Sequence, residues 1–516
     1  MEGSALATAR AVETERELAL HILSRIFTGP AAREVGVRLW DGATWPDDGQ
    51  HRATPALRHP GSLRAMFLPG GELGLAEAYI YDDFDIEGEV EAVFGLADAL
   101  AEATSGWRRR LGVAAELVRL PAPRAHQPGR RGPARLAGKR HTIARDRQAV
   151  TYHYDVSNKF FALWLDSRLV YSCGYFEAET DDLETAQERK LDYICRKLRV
   201  KPGQSLLDLG CGWGGLVMHA ARNFGADATG ITVSRAQADL AETRIAGAGL
   251  SDHCRALVQD YRELDGVERY HALASVGMFE HVGEALLPEY FARAHRLLTP
   301  GGTFLNHGIA SRADEAPQHG PGFSEAYVFP DGELVPINVT LRAAEEVGFE
   351  VRDVESLREH YTLTLRHWVR RLEARHREAL AHVDEPTYRV WRLYMAGAAH
   401  AFAVGRHNVY QTLLAKPDRE GRSGLPLTRA EWYRDPAASG GRRQGTRDVS
   451  SHGRADPVVA PRPTDEEHGP RRIPGPGPLR YPQVVTASGP RSRGRCQRRF
   501  PPSEPCADLS DPRPPL

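Results

Sequence analysis

Residues 205–215 read SLLDLGCGWGG: a short apolar strand runs straight into a glycine turn, and a helical stretch, LVMHAARNF (216–224), follows at once. A strand, a glycine turn and a helix N-terminus make a cradle in which backbone approaches a ligand closely. Glycine has no Cβ to hold a ligand off, and the first amides of a helix are unpaired. Outward from this unit the pattern repeats. ATGITVS (228–234) reads as the second strand, and QDYR (259–262) follows another. HALASVGMFEHVG (271–283) reads as a strand with its loop, and RLLTPGGTFLNHGI (296–309) as a helix end, a Pro-Gly-Gly turn and a strand. Short apolar strands separated by helical segments from about 146 to 434 predict an α/β domain, a mostly parallel sheet with helices on both faces.

Gly210, Gly212 and Gly215 also satisfy the G-x-G-x-x-G pattern of dinucleotide sites. Such a site wants an acid about 20 residues further on for the ribose hydroxyls, and ATGITVS supplies none. Asp208 instead precedes the glycines, in the D-x-G-x-G order of S-adenosylmethionine-dependent methyltransferases, whose loop meets the amino-acid end of the ligand. The expected fold is therefore a Rossmann-like class I methyltransferase sheet. Asp260, after its strand, is a candidate for the adenine amino group.

Composition narrows the rest. The chain has 516 residues, 41% hydrophobic and 26% charged, a globular balance that predicts two or three domains. A formal charge of -1 leaves no whole-molecule field to attract nucleic acid, and none is expected as a partner. The six cysteines form no C-x-x-C pair, which argues against a zinc cluster or disulfide framework; no metal is expected. Acids among the first thirty residues argue against a secretory signal, and no run of about 18 apolar residues crosses a bilayer. A cytoplasmic protein, peripheral at the inner membrane face, is the expectation.

Residues 1–120 predict a small, mainly helical domain. In ELALHILSRIF (17–27), Leu18, Ile22 and Ile26 form one row and Ala19, Leu23 and Phe27 the next, to pack on the domain or to face lipid. Residues 121–145 are rich in Pro, Gly and Arg and read as a linker, solvated or resting on anionic headgroups. Residues 435–516 offer too little apolar surface to offset ordering and are expected to be disordered.

Eight blocks, taken in order, resemble cyclopropane-fatty-acyl-phospholipid synthases: HYDVSNKFFALWLDSRLVYSCGYF (153–176), DLGCGWGG (208–215), TVSRAQ (232–237), MFEHVG (278–283), NHGI (306–309), YVFPDGELVP (327–336), HYTLTLRHW (360–368) and WRLYMAGAAHAF (391–402). The resemblance implies methyl transfer from S-adenosylmethionine to the cis double bond of a phospholipid acyl chain. It also implies a bound bicarbonate that removes the surplus proton, held by Cys173, Glu280, His307, the Ile309 backbone and Tyr361. Cofactor contacts implied are Tyr171, Ser172, Asp208, Gly210, Gly212, Thr232, Gln237, Asp260 and Tyr261. The partner implied is an unsaturated acyl chain at a membrane surface, with a homodimer left open.

The chemistry asks for such residues. An alkene is a weak nucleophile, so positioning against the methyl donor must supply much of the rate. The carbocation that follows needs a dry aromatic cavity, for which Phe160, Phe161, Trp164, Tyr175 and Phe176 are candidate walls. Taken singly, Cys173 is a small buried hydrophobe, His307 a core histidine, Tyr361 a packing aromatic and Glu280 a helix-start acid. Trp368, Trp391 and Phe402 read as core residues at helical spacing. Alternatives are a methylene- or methyl-branched product, methylation of an amine, a non-catalytic lipid- or cofactor-binding relative and, more remotely, an oxidoreductase.

Overall fold

The computed structural model describes residues 2–27, 33–46, 51–103, 107–125, 131–154, 156–314 and 322–433. The expected disorder of 435–516 falls outside them. The first region carries a helix over Glu2–Ile26, four shorter helices up to Leu117, and a sheet that the sequence did not announce. Its strands are β1 (Val37–Arg38), β2 (Thr44–Trp45), β3 (Ala53–Leu57) and β4 (Phe84–Gly88), ordered β2-β1-β3-β4. Two to five residues are too few for alternation to show, and Pro55 sits inside β3. Ala19, Ile22, Leu23, Ile26 and Phe27 are all buried, so the apolar rows of the first helix pack on protein and are not a lipid-facing surface.

The main sheet has seven strands: β5 (Ser205–Leu209), β6 (Asp227–Thr232), β7 (Cys254–Val258), β8 (Tyr270–Val276), β9 (Leu298–Ser311), β10 (Glu350–Ser356) and β11 (His407–Ala415). Their order is β10-β11-β9-β8-β5-β6-β7. Strands β5 to β9 run parallel, and β11 is antiparallel to both its neighbours. Leu206, Leu207, Asp208 and Leu209 are all buried, as expected of a strand covered on both faces. The chain leaves β5 toward β6 on one side while β8 lies on the other, so the crevice at the C-terminal ends of β5 and β8 is the topological switch point, where open α/β sheets bind ligands.

The segment read as a linker is not simply a tether. Arg131 is buried, donates to the Tyr327 carbonyl at 2.8 and 3.0 Å and to the Tyr152 carbonyl at 3.2 Å, and lies 4.2 Å from the Tyr152 ring centre. Further on, the helix Glu385–Ala403 reaches back to the first region. Arg389 donates to the Tyr79 carbonyl at 2.8 Å and Arg392 to the Tyr79 hydroxyl at 2.8 Å. A hydrophobic cluster runs from Ala19 through Phe160 to Val409, so the described residues form one compact unit rather than two domains on a flexible join. Among the described residues no helix is long and apolar enough to cross a membrane.

Candidate active site

The crevice at the switch point is a cavity built from strand ends. β5 contributes Asp208 and the glycine loop, β6 Thr232, β7 leads into Asp260 and Tyr261, and β8 ends on Val276 and Gly277. Gly210 adopts φ +91°, Gly212 φ +53° and Gly214 φ +82°, left-handed values that side-chain-bearing residues avoid. The Gly210 and Cys211 amides both bond the Ile231 carbonyl, at 3.0 and 2.9 Å, which pins the loop across β6. All nine residues expected to meet the cofactor line this one cavity: Tyr171, Ser172, Asp208, Gly210, Gly212, Thr232, Gln237, Asp260 and Tyr261. The Thr232 hydroxyl donates to Gln237 Oε1 at 2.8 Å, closing the wall on the β6 side.

Two features suit a ligand with an amino-acid end. A Cβ on Gly212 would meet nothing closer than Gln237 Nε2 at 4.0 Å, so the backbone there is open to a guest. Asp208 is buried, with one carboxylate oxygen lacking any hydrogen-bond partner; burial pushes its pKa up to about 7, against the pull of Lys190. Asp260 lines the cavity and is also tied to its neighbours. Both its oxygens are held by Arg262, at 2.8 and 2.7 Å, and Arg262 also pairs with Asp146 at 2.9 Å. This fixes the carboxylate's orientation, and its oxygens keep lone pairs that an adenine amino group could use. The sequence reading passed over Tyr154, Lys190, Trp213, Gly277, Met278 and His281, which also line the cavity. Tyr154, Trp213, Met278 and His281 lie inside quoted motif blocks, which was the available signal.

Gly210 gives a sharp test. A Cβ there would lie 2.7 Å from Met278 Cβ, on top of backbone strain of ~1–3 kcal/mol for a non-glycine residue. Gly210→Ala should therefore lower both the unfolding midpoint and S-adenosylhomocysteine affinity, read by thermal unfolding and calorimetric titration. Unchanged values in both would contradict this packing.

The second group of residues lies outside the cavity lining. Glu280, in the short helix Phe279–His281 after β8, accepts the Ile309 amide of β9 at 2.7 Å, while its other oxygen is buried without a partner. Burial raises its pKa to about 7, partly offset by that amide. The Ile309 amide is thus spent on Glu280 rather than left free for an anion. His307, on the same strand, has Gln411 Nε2 3.3 Å from Nδ1 and an unpartnered Nε2. With Gln411 donating to Nδ1, the ring proton sits on Nε2, and burial holds the imidazole well below its usual pKa and so neutral. The Cys173 thiol faces the carbonyls of Gly174 at 3.2 Å and Leu357 at 3.7 Å. Burial drives the pKa values of Cys173 and Tyr361 up, so thiol and phenol keep their protons. Tyr361 lies on the helix Arg358–Ala374, close enough to Cys173 and Glu280 for their charges to push its pKa further up. His307 lies on β9, two residues from Ile309.

The aromatic walls are arranged differently from expectation. Phe160, Phe161 and Trp164 interlock with Tyr171, Trp368 and Trp391, with ring centres 5.1 to 6.3 Å apart in their contacts. Trp368 and Trp391 are fully buried in this aromatic cluster of the core, as their reading as core residues expects. Tyr175 and Phe176 turn away to stack on His360 and His367.

A family model described as mycolic acid cyclopropane synthetase matches residues 141–412. The chain belongs to this cyclopropane synthase family of S-adenosylmethionine-dependent methyltransferases. The family's reach extends beyond the matched region. Over 401 residues the chain is 38% identical to a "Probable fatty acid methyltransferase" of Pseudomonas putida, covering 77% of this chain and 96% of that one. It is 36% identical over 425 residues to a protein of that description from Mycobacterium tuberculosis, covering 80% and 98%. The solved structure of the cyclopropane synthase MmaA2 from Mycobacterium tuberculosis aligns with a TM-score of 0.50 and 32% identity, over 52% of this chain and 97% of that one.

Proposed function

We propose that the protein transfers a methyl group from S-adenosylmethionine to the cis double bond of an unsaturated phospholipid acyl chain and closes a cyclopropane ring, with bicarbonate as the proton acceptor. The observation that carries this reading is a cavity lined by Asp208, the glycine loop and Thr232 in a chain of this family that also keeps Cys173, Glu280, His307 and Tyr361, three of them buried and the fourth, Glu280, with a buried unpartnered oxygen. When bound, the cofactor supplies an electrophilic methyl on a sulfonium. The chain's residues do the remainder. The glycine loop and Gln237 orient the donor, and the rings of Phe161, Trp164 and Trp391 exclude water and offer faces to positive charge on the acyl chain.

The donor set suits a small oxyanion. A protonated phenol and an Nε2–H can donate to it, as can the Cys173 thiol if it turns from the Gly174 carbonyl, and the free Glu280 oxygen can accept the anion's own proton and fix its orientation. Tyr361, His307 and Glu280 would hold such an anion, which would supply a base for a proton of the added methyl where a flexible side chain would be harder to place. The protein would work at the cytoplasmic membrane face, where its acyl substrate lies.

Mass spectrometry of lipids from cells expressing the chain tests this. Acyl chains heavier by one CH2 unit, and absent from cells expressing Glu280→Ala, are the expected result. Lipids of unchanged mass would overturn the proposal, and a gain confined to headgroup amines would favour N-methylation.

A further inference from the structure

The chain uses Lys at only six of its 67 basic positions, and two of these, Lys190 and Lys197, are fully buried side by side on the helix Leu183–Lys197. Burying an ammonium is costly unless it is paired. Lys197 is paired: Asp353 lies 3.4 Å away, Glu355 is in direct contact, and the Tyr193 ring centre is at 4.5 Å. Lys190 is not. It donates to the Ser172 hydroxyl oxygen at 2.9 Å, and among the described residues no carboxylate comes within ion-pairing distance of it.

Lys190 lines the cofactor cavity, as do Ser172 and Asp208. An ammonium has three donors, and here one is spent. Because Lys190 occupies a lone pair of the Ser172 oxygen, the serine O–H is left to point elsewhere. Asp208 carries the complementary deficit, a buried carboxylate oxygen without a partner. The cavity thus holds an unpaired cation and an incompletely bonded acid that do not satisfy each other. An amino-acid zwitterion supplies what both lack.

We propose that Lys190, together with the Ser172 hydroxyl, receives the carboxylate of the cofactor's amino-acid end, leaving Asp208 for its ammonium. This rests on the S-adenosylmethionine reading above and deepens it by assigning the charge that separates the intact cofactor from nucleosides lacking that end.

Burial lowers the Lys190 pKa to about 8, opposed by Asp166, Cys173 and Asp208, and His307 faces it from β9. Asp166 is itself occupied, capping the Arg168 and Val170 amides at 3.1 and 2.7 Å.

Calorimetry on the full chain should compare S-adenosylhomocysteine with 5′-methylthioadenosine, which has no amino-acid end. Lys190→Met should weaken the first at least about tenfold and leave the second within about twofold. On the unaltered chain, S-adenosylhomocysteine affinity should also fall between about pH 7 and about pH 9 as the ammonium loses its proton. Lys190→Met should lack that fall, while titration of the ligand's own amine is common to both chains. Equal weakening of both ligands, or coincident pH profiles, would overturn the assignment. If the unaltered chain bound neither ligand, the cofactor reading itself would fail.

Discussion

Glu280→Gln is expected to lower methyl transfer ~10²- to 10⁴-fold while S-adenosylhomocysteine binding stays within about twofold. The amide can still accept the Ile309 N–H, which now lies 2.7 Å from Glu280 Oε1, so the turn after β8 keeps its anchor to β9. What disappears is the charge on the second, unpartnered oxygen. Because Glu280 is outside the cofactor cavity lining, cofactor affinity should be insensitive to the change. A pH signature accompanies the loss. Burial raises the Glu280 pKa to about 7, and the ionised form is the one that can accept the anion's proton. Activity of the unaltered chain should therefore rise with pH through about 7, and Glu280→Gln should lose that component. Transfer at the unaltered rate would remove Glu280 from the chemistry.

Trp164→Ala should destabilise the fold by ~3–5 kcal/mol, the usual cost of deleting a large buried aromatic. Trp164 is fully buried and meets the rings of Phe160, Phe161, Tyr171, Trp368 and Trp391. Those partners come from three separated stretches of chain, so no local shift can fill the void. Denaturant unfolding measures the effect. A loss below about 1 kcal/mol, the range of a surface change, would show that the aromatic cluster is loosely packed and poorly suited to excluding water.

The sheet and cofactor loop were legible for identifiable reasons. A strand buried on both faces shows itself as the run SLLDL, and Gly210 and Gly212 mark the turn because the backbone there needs positive φ. The small sheet of the first region was hidden by strands too short for a period. Arg131 read as solvated because it stands among prolines and glycines, yet its partner is a carbonyl 196 residues away. Lys190 sits in the polar stretch QERK, and only the fold reveals that its side chain turns inward. Tyr175 and Phe176 share a motif with Cys173 but stack on histidines of the helix Arg358–Ala374, a direction that motif membership could not specify. Asp260 followed its strand into the cavity as expected, while its ion pair with Arg262, two residues on, shows only in the fold.

The claim beneath all of this is that the transferred methyl gives up one of its own protons after bonding to an alkene. The purified chain can be given donor with a fully deuterated methyl and vesicles of cis-unsaturated phospholipid, and the acyl chains then weighed. The account predicts a gain of one carbon and two deuterium atoms. Retention of all three deuterium atoms, or acyl chains of unaltered mass, would contradict it.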